Sequence, residues 1–379
     1  MKTIRVPLAI RSFGAVLVIS TLQFSLAVLP SARAQGNFFT SVNLQSDIAG
    51  VAERTDPNLV NSWGLVINPK AQIFWVADNG SGVSTLYRPD GTPVFLGNSG
   101  QNFVTLPPTQ VDKKNPSAPT GIVFNSSSDA FLIPNTTSPA PAIFLFDGED
   151  GGIWGWNPGV NLLNAVLVVQ PKSPNKNTNS VYKGLAIANS QIGGGPTLYA
   201  TNFRAGTIDV FDSSFKLVAQ FRDPNPPSVP AGAVGWGPFG IANINGDLYV
   251  TFAAQNAAQH DDVAGPGNGF VDVFTPEGVL TRLITGGNLN SPWGLAKVPQ
   301  QFGTFDSQVL LVGNFGDGHI NAYSINPVNS GAFIETLSRS VGPLEFNGLW
   351  ALFFFGNQLY FTAGIVDEAH GLFGFIVPE

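Results

Sequence analysis

Apolar and polar positions alternate in short runs along most of the chain, and glycine, proline and asparagine cut the runs apart. Period-two alternation bounded by turn residues predicts strands rather than helices. The runs also repeat. A residue, a glycine and a short apolar stretch recur as Ser62-Trp63-Gly64-Leu65-Val66, Pro119-Thr120-Gly121-Ile122-Val123 and Tyr182-Lys183-Gly184-Leu185-Ala186. The same pattern returns as Pro238-Phe239-Gly240-Ile241-Ala242, Pro292-Trp293-Gly294-Leu295-Ala296 and Phe346-Asn347-Gly348-Leu349-Trp350. The six anchor glycines are spaced by 57, 63, 56, 54 and 54 residues.

Two further runs follow each anchor. The second runs are Ile73–Ala77, Ala130–Ile133, Thr197–Thr201, Asp247–Phe252, Val309–Val312 and Gln358–Thr362. The third runs are Val83–Tyr87, Ala142–Phe146, Thr207–Phe211, Phe270–Phe274, His319–Ile325 and Leu372–Ile376. Turn signals such as Pro89-Asp90-Gly91 and Pro276-Glu277-Gly278 lead to fourth runs at Val94–Leu96, Lys216–Phe221 and Val279–Ile284. A four-stranded unit repeated six times, unable to bury its faces alone, predicts an all-β, six-bladed β-propeller. The sixth repeat stops after its third strand. The unassigned run Phe38–Leu44 is expected to supply the missing outer strand and lock the last blade to the first, since an open row would leave unprotected edges.

Composition agrees with this architecture. The chain has 43 Gly and 29 Pro, both costly inside helices, and only 11% charged residues. It has no Cys, which removes disulfides, thiolate metal sites and cysteine nucleophiles. Residues 1–34 read as a signal peptide: Lys2, Arg5 and Arg11, then an apolar stretch from Phe13 to Leu29, then Ala32-Arg33-Ala34 before Gln35. Residues 35–379 are then expected to form one propeller domain, exported to the periplasm or beyond. Cleavage would remove four cations and no acid, taking the net charge from −7 to −11. That excludes a nucleic-acid partner, which needs a basic surface. No later stretch is long enough to span a bilayer, and the mature chain is expected to be a monomer.

Asn58-Leu59-Val60-Asn61-Ser62-Trp63-Gly64, Tyr199-Ala200-Thr201-Asn202-Phe203 and Asp367-Glu368-Ala369-His370-Gly371-Leu372-Phe373-Gly374 resemble recurring segments of an uncharacterised family of exported bacterial proteins assigned to the propeller class. The resemblance covers roughly residues 38–376. Some members carry a C-terminal sorting tail that begins Val-Pro-Glu-Pro; this sequence stops at Val377-Pro378-Glu379. More distantly the repeats are similar to six-bladed lactonase and NHL-type propellers, in which a divalent ion sits at the mouth on acidic and amide side chains. The closer resemblance implies no reaction.

In a propeller, the loops joining second to third strands share one face with the starts of the inner strands, and ligands favour such concave mouths. The second runs end at Asp78-Asn79, Asn135, Thr201-Asn202, Gln255-Asn256, Asn314 and Gly364. Asp78, Asn79, Asn202 and Asn314 are candidate ligand-binding residues. Their oxygens suit Ca²⁺ or Mg²⁺, and the same residue types also end strands by bonding loop backbone. Trp63 and Trp293, like Phe239, precede anchor glycines and are candidates for ring-binding platforms or for inter-blade packing. The three histidines all fall at the second-to-third junction of consecutive repeats. His260 lies beside Asp261 and Asp262, His319 follows Asp317, and His370 follows Asp367 and Glu368. Histidine with carboxylate can hold a divalent metal (Ca, Mg or Zn) or move a proton near neutral pH. Ordinary loop hydrogen bonding is the competing role.

Other patterns fail. Gly235-x-Gly-x-x-Gly240 contains Pro238 and lacks a βαβ setting, so no nucleotide is expected. Asp147-Gly148-Glu149-Asp150-Gly151 lacks the closing Glu of a calcium loop and reads as a hairpin tip. Two functions are consistent with these residues. One is a binding or scaffold propeller offering its mouth to a small molecule, glycan or protein. The other is a divalent-metal-dependent hydrolase of lactonase or esterase type.

Overall fold

A computed structural model of the chain describes residues 37–379 apart from 112, 114–115, 135–138 and 172–178. The expected signal peptide and Asn135 lie outside the described residues. Those described contain strands and no helix, so none is long and apolar enough to cross a membrane. Six four-stranded antiparallel sheets follow one another along the chain. Their inner strands are Ser62–Asn68, Pro119–Phe124, Tyr182–Ser190, Gly235–Ile244, Pro292–Lys297 and Leu349–Phe355. Each touches the inner strand of the next blade, and the sixth touches the first, so the sheets close into a six-bladed ring.

The N-terminal strand, Phe39–Ser46, pairs antiparallel with His370–Pro378 and supplies the outer strand of blade 6, from Phe39 opposite Pro378 to Ser46 opposite Leu372. A two-residue strand, Arg54–Thr55, adds a parallel fifth. Phe39 is fully buried and stacks on Phe302 at 4.9 Å between ring centres. The seam is thus held by core packing as well as by ladder bonds.

The anchor motif has a physical cause. In every blade the inner strand gains a residue against its partner at this point, as between Ser62 and Leu65 or Pro238 and Ile241. Such a bulge turns the preceding side chain. The six inner strands also crowd each other here. A Cβ on Gly64 would lie 2.4 Å from the Thr120 carbonyl oxygen of blade 2, and one on Gly240 would lie 2.1 Å from that of Trp293 in blade 5. No side chain fits at either distance.

Three assignments from the sequence are corrected. In blade 2 the second strand is Phe144–Gly148 and the third is Ile153–Trp156. Ala130–Ile133 instead forms an irregular insert, buried at Ala130, Phe131 and Ile133 and exposed at Leu132. Phe131 sits there at a φ of 58° and, with Ile133, fills the core between blades 2 and 3. In blade 1 the outer strand is Phe103–Thr105, not Val94–Leu96. In blade 6 the anchor position belongs to Ala351, not Gly348. The bulge lies between Leu349 and Leu352, and the Ala351 amide donates to Thr362 Oγ1 at 3.0 Å as the Gly240 amide does to Thr251 Oγ1 at 2.8 Å. Gly348, at a φ of 65°, belongs to the turn before the strand.

Candidate functional site: an ammonium at the mouth of the ring

The residue before each anchor is turned by its bulge towards the axis. These are Trp63, Thr120, Lys183, Phe239, Trp293 and, by the corrected register, Trp350. Trp63 stacks on Trp350 at 3.4 Å, and Trp293 and Phe239 meet this pair edge-on at 5.8–6.4 Å. The four rings form an aromatic septum across the ring centre. Lys183 is the one charged member of the set. Its side chain is 3% exposed, and its Nζ lies 5.1 Å from the Trp63 ring centre and 5.9 Å from that of Phe239. A desolvated ammonium over aromatic faces gains from their quadrupoles, though not enough to replace its hydration.

Carboxylates supply the remainder. Glu149 follows the second strand of blade 2 and forms a short ion pair with Lys183 through Oε1. Asn79, one step past the second strand of blade 1, donates to Glu149 Oε2 at 3.0 Å. From blade 4, Asp261 Oδ1 lies 3.8 Å from the ammonium and 2.7 Å from His260 Nδ1, and that nitrogen is 4.0 Å from Glu149 Oε1. From blade 6, Glu368 Oε1 accepts from Asn61 Nδ2 at 3.5 Å. Asn61 also donates to Asn79 and accepts from the indoles of Trp63 and Trp350. Glu368 closes three successive left-handed residues, Val366, Asp367 and Glu368, at φ of 55°, 50° and 64°. This backbone costs energy for side chains of these types. Gln259, just before His260, sits at a φ of 53°.

These groups do not share one electrostatic state. Burial alone would raise the Glu149 carboxyl, but Lys183 and His260 outweigh it and hold the group below its usual range. The His260 hydrogen bond, opposed by desolvation and helped by Lys183, holds Asp261 down at about 2. Burial pushes Asp262 up. Burial, then the charge of Glu149, pushes Glu368 up to about 7, with Lys183 and Asn61 only partly offsetting them. Glu149 and Asp261 therefore face the ammonium directly, while Asp262 and Glu368 resist ionisation chiefly because they are buried.

The other candidates are placed elsewhere. Asp78 is fully buried and accepts from Ser62 and Thr85 inside blade 1. Asn202 bonds Ser180 and Asp209, and Asn314 bonds the Asn288 carbonyl and Asp317. His319 lies 3.6 Å from Asp317 within blade 5. His370 bonds Asp47 at 2.7 Å across the seam of blade 6, and Asp367 is exposed. Among the described residues, one trio of donors is close enough to share a metal: Glu149, His260 and Asp261, within 4.8 Å of one another. The donor types suit a divalent ion, but Lys183 already lies against two of the three groups, so an ion would have to displace it.

Lys183, Glu149, Asn61 and Trp350 are members of the mouth that the sequence reading did not single out. Lys183 stands in the same column of the repeat as Trp63, Phe239 and Trp293, and that column was the available signal. Glu149 was hidden by the misplaced strands of blade 2. In the true register it follows the second strand as Asn79 does in blade 1.

No protein-family model matches the chain. It is 30% identical over 342 residues to the uncharacterised protein R648 of Acanthamoeba polyphaga mimivirus, covering 89% of this chain and 79% of that one. It is 32% identical over 337 residues to uncharacterised protein L690 of the same virus, covering 87% and 83%. The chain belongs to the family of these viral proteins. A solved streptogramin B lyase shares its fold with this member of the family, with a TM-score of 0.51 at 13% identity over 90% of this chain and 98% of that one. At that identity the likeness is one of architecture, and propellers host unrelated chemistries.

Proposed function

We propose that the protein is a binding propeller whose mouth holds a small organic cation, such as a primary amine. The observation that carries this reading is the excess of carboxyl groups at the mouth: Glu149 and Asp261 against the Lys183 ammonium, with Asp262 and Glu368 buried nearby. A cationic ligand beside Glu368 and Asp262 would offset the burial that disfavours their charged forms. The sign of the pH dependence follows. Glu368 is neutral below its pKa of about 7 and must lose its proton to pair with a cation. Affinity is therefore expected to rise with pH through about 7, by up to about tenfold per unit below it, because one proton leaves for each ligand bound. Calorimetric titration with primary amines, neutral sugars and carboxylic acids at pH 5.5, 6.5 and 8 tests this. Amines should bind alone, and Glu368→Gln should flatten the pH profile. Binding by sugars or acids instead, or a profile unchanged in Glu368→Gln, would overturn the reading.

A second reading, a metal-dependent hydrolase of lactonase or esterase type, is favoured by the Glu149, His260 and Asp261 trio. It requires Lys183 to withdraw, and elemental analysis of the purified protein is its direct test.

We also propose that the protein is a bacterial one, exported by residues 1–34 and cleaved before Gln35. N-terminal sequencing of the mature protein should begin at Gln35; retention of Met1 would refute cleavage.

A further inference from the structure

The septum has a second side. Beyond it, towards the face where the inner strands end, lies a cavity of about 330 Å³ walled by all six blades. The residue after each anchor faces it: Leu65, Ile122, Leu185, Ile241, Leu295 and, in the corrected register, Leu352. Trp293 belongs to both the cavity lining and the septum. No charged side chain lines the cavity, and Asn243 is its one amide.

We propose that this cavity is a separate binding site for an uncharged, mainly apolar small molecule carrying one or two hydrogen-bonding groups. Three observations specify that class. The lining side chains are apolar from every blade, aliphatic with Phe124, Trp293 and Phe353 among them, so apolar surface is what the site can take from water. The lining offers no counter-charge, so an ion would lose its hydration without compensation. The inner strand of each blade has a neighbour on one edge only, which leaves backbone groups along the other edge facing the axis. These can bond an alcohol or carbonyl on the occupant. The volume corresponds to roughly eleven water-sized units at about 30 Å³ each, which admits an occupant of on the order of ten non-hydrogen atoms.

The probe is 2-naphthol, a two-ring alcohol of matching size, titrated into the full chain and followed by calorimetry and by tryptophan emission. The expected result is saturable binding of one molecule per chain. Ile241→Trp fills the cavity from blade 4 and should weaken binding at least tenfold. Ile187→Phe narrows it from blade 3 and should act in the same direction; melting curves establish that each variant is folded. Naphthalene-2-sulfonate, the same rings with a charge, should bind at least tenfold more weakly than 2-naphthol. Asp261→Asn, at the mouth, should leave 2-naphthol binding unchanged, which separates this site from the one proposed above. No saturable binding by the wild-type chain would overturn the proposal. So would undiminished binding in a folded cavity variant, or sulfonate binding as tight as that of 2-naphthol. If Ile241→Trp does not fold, Ile187→Phe and the sulfonate comparison decide.

Discussion

Replacing Lys183 by Met should lower the stability of the propeller by about 3–5 kcal/mol, the usual cost of removing one partner of a buried ion pair and leaving the other charge behind. Lys183 is 3% exposed and its partner Glu149 15%, so solvent screens the pair little. The Met side chain keeps much of the contact with Trp63, Phe203 and Phe239, so the loss is electrostatic rather than steric. Adding Glu149→Gln removes the stranded charge while keeping an acceptor for Asn79, and should return most of the stability. Urea denaturation of the two single variants and the double variant gives the coupling directly. If Lys183→Met and Glu149→Gln act additively, the pair does not hold the mouth together. The same substitution should change metal chemistry. With the ammonium gone, Glu149, His260 and Asp261 retain three donor atoms within 4.8 Å. Zinc should then bind Lys183→Met more tightly than the wild-type chain by calorimetric titration. Equal affinities would mean that Lys183 does not compete with the ion.

Removing the closing strand should cost still more. A chain beginning at Asp47 loses Phe39, fully buried against Phe302 and Phe305, and Leu44, 2% exposed. Phe39→Ala alone is expected to cost about 3–5 kcal/mol. Loss of the whole strand also strips the seven-residue register from His370–Pro378 and bares that strand as an edge. The truncated chain should unfold at a markedly lower urea midpoint than one beginning at Gln35, and should scatter light as it associates through the open blade. Coincident unfolding curves would show that the seam contributes nothing.

Six blades were legible because the crowding of the inner strands leaves a trace in residue type. No Cβ fits at Gly64 or Gly240, so glycine recurs, and the repeat becomes visible. Where Ala351 is tolerated instead, the pattern pointed to the wrong glycine. Blade 2 misled for a different reason. Ala130–Ile133 reads as a strand because Ala130, Phe131 and Ile133 are buried in the core as strand residues are, although Leu132 is exposed and the segment forms only an isolated bridge, Leu132 to Pro141. The mouth was only partly legible. The shared junction of His260, His319 and His370 follows from chain order. Their distance from the axis depends on loop paths, and His319 and His370 end in pairs within their own blades. The left-handed turn that delivers Glu368 is built from Val366, Asp367 and Glu368, residue types that give no local sign of it.

The seam has a mechanical consequence. Phe39 lies opposite Pro378, and the Glu379 amide donates to the Phe38 carbonyl at 2.9 Å, so both chain segments leave the sheet from the same end of one strand pair. Tension applied through those segments loads the rungs in turn, from Phe39–Pro378 towards Ser46–Leu372, instead of shearing them together. The first irregular rung under load is the register shift at Asn43–Gln45. A ring that heat must open as a unit would therefore be peeled by a steady pull at little more than the strength of a single rung.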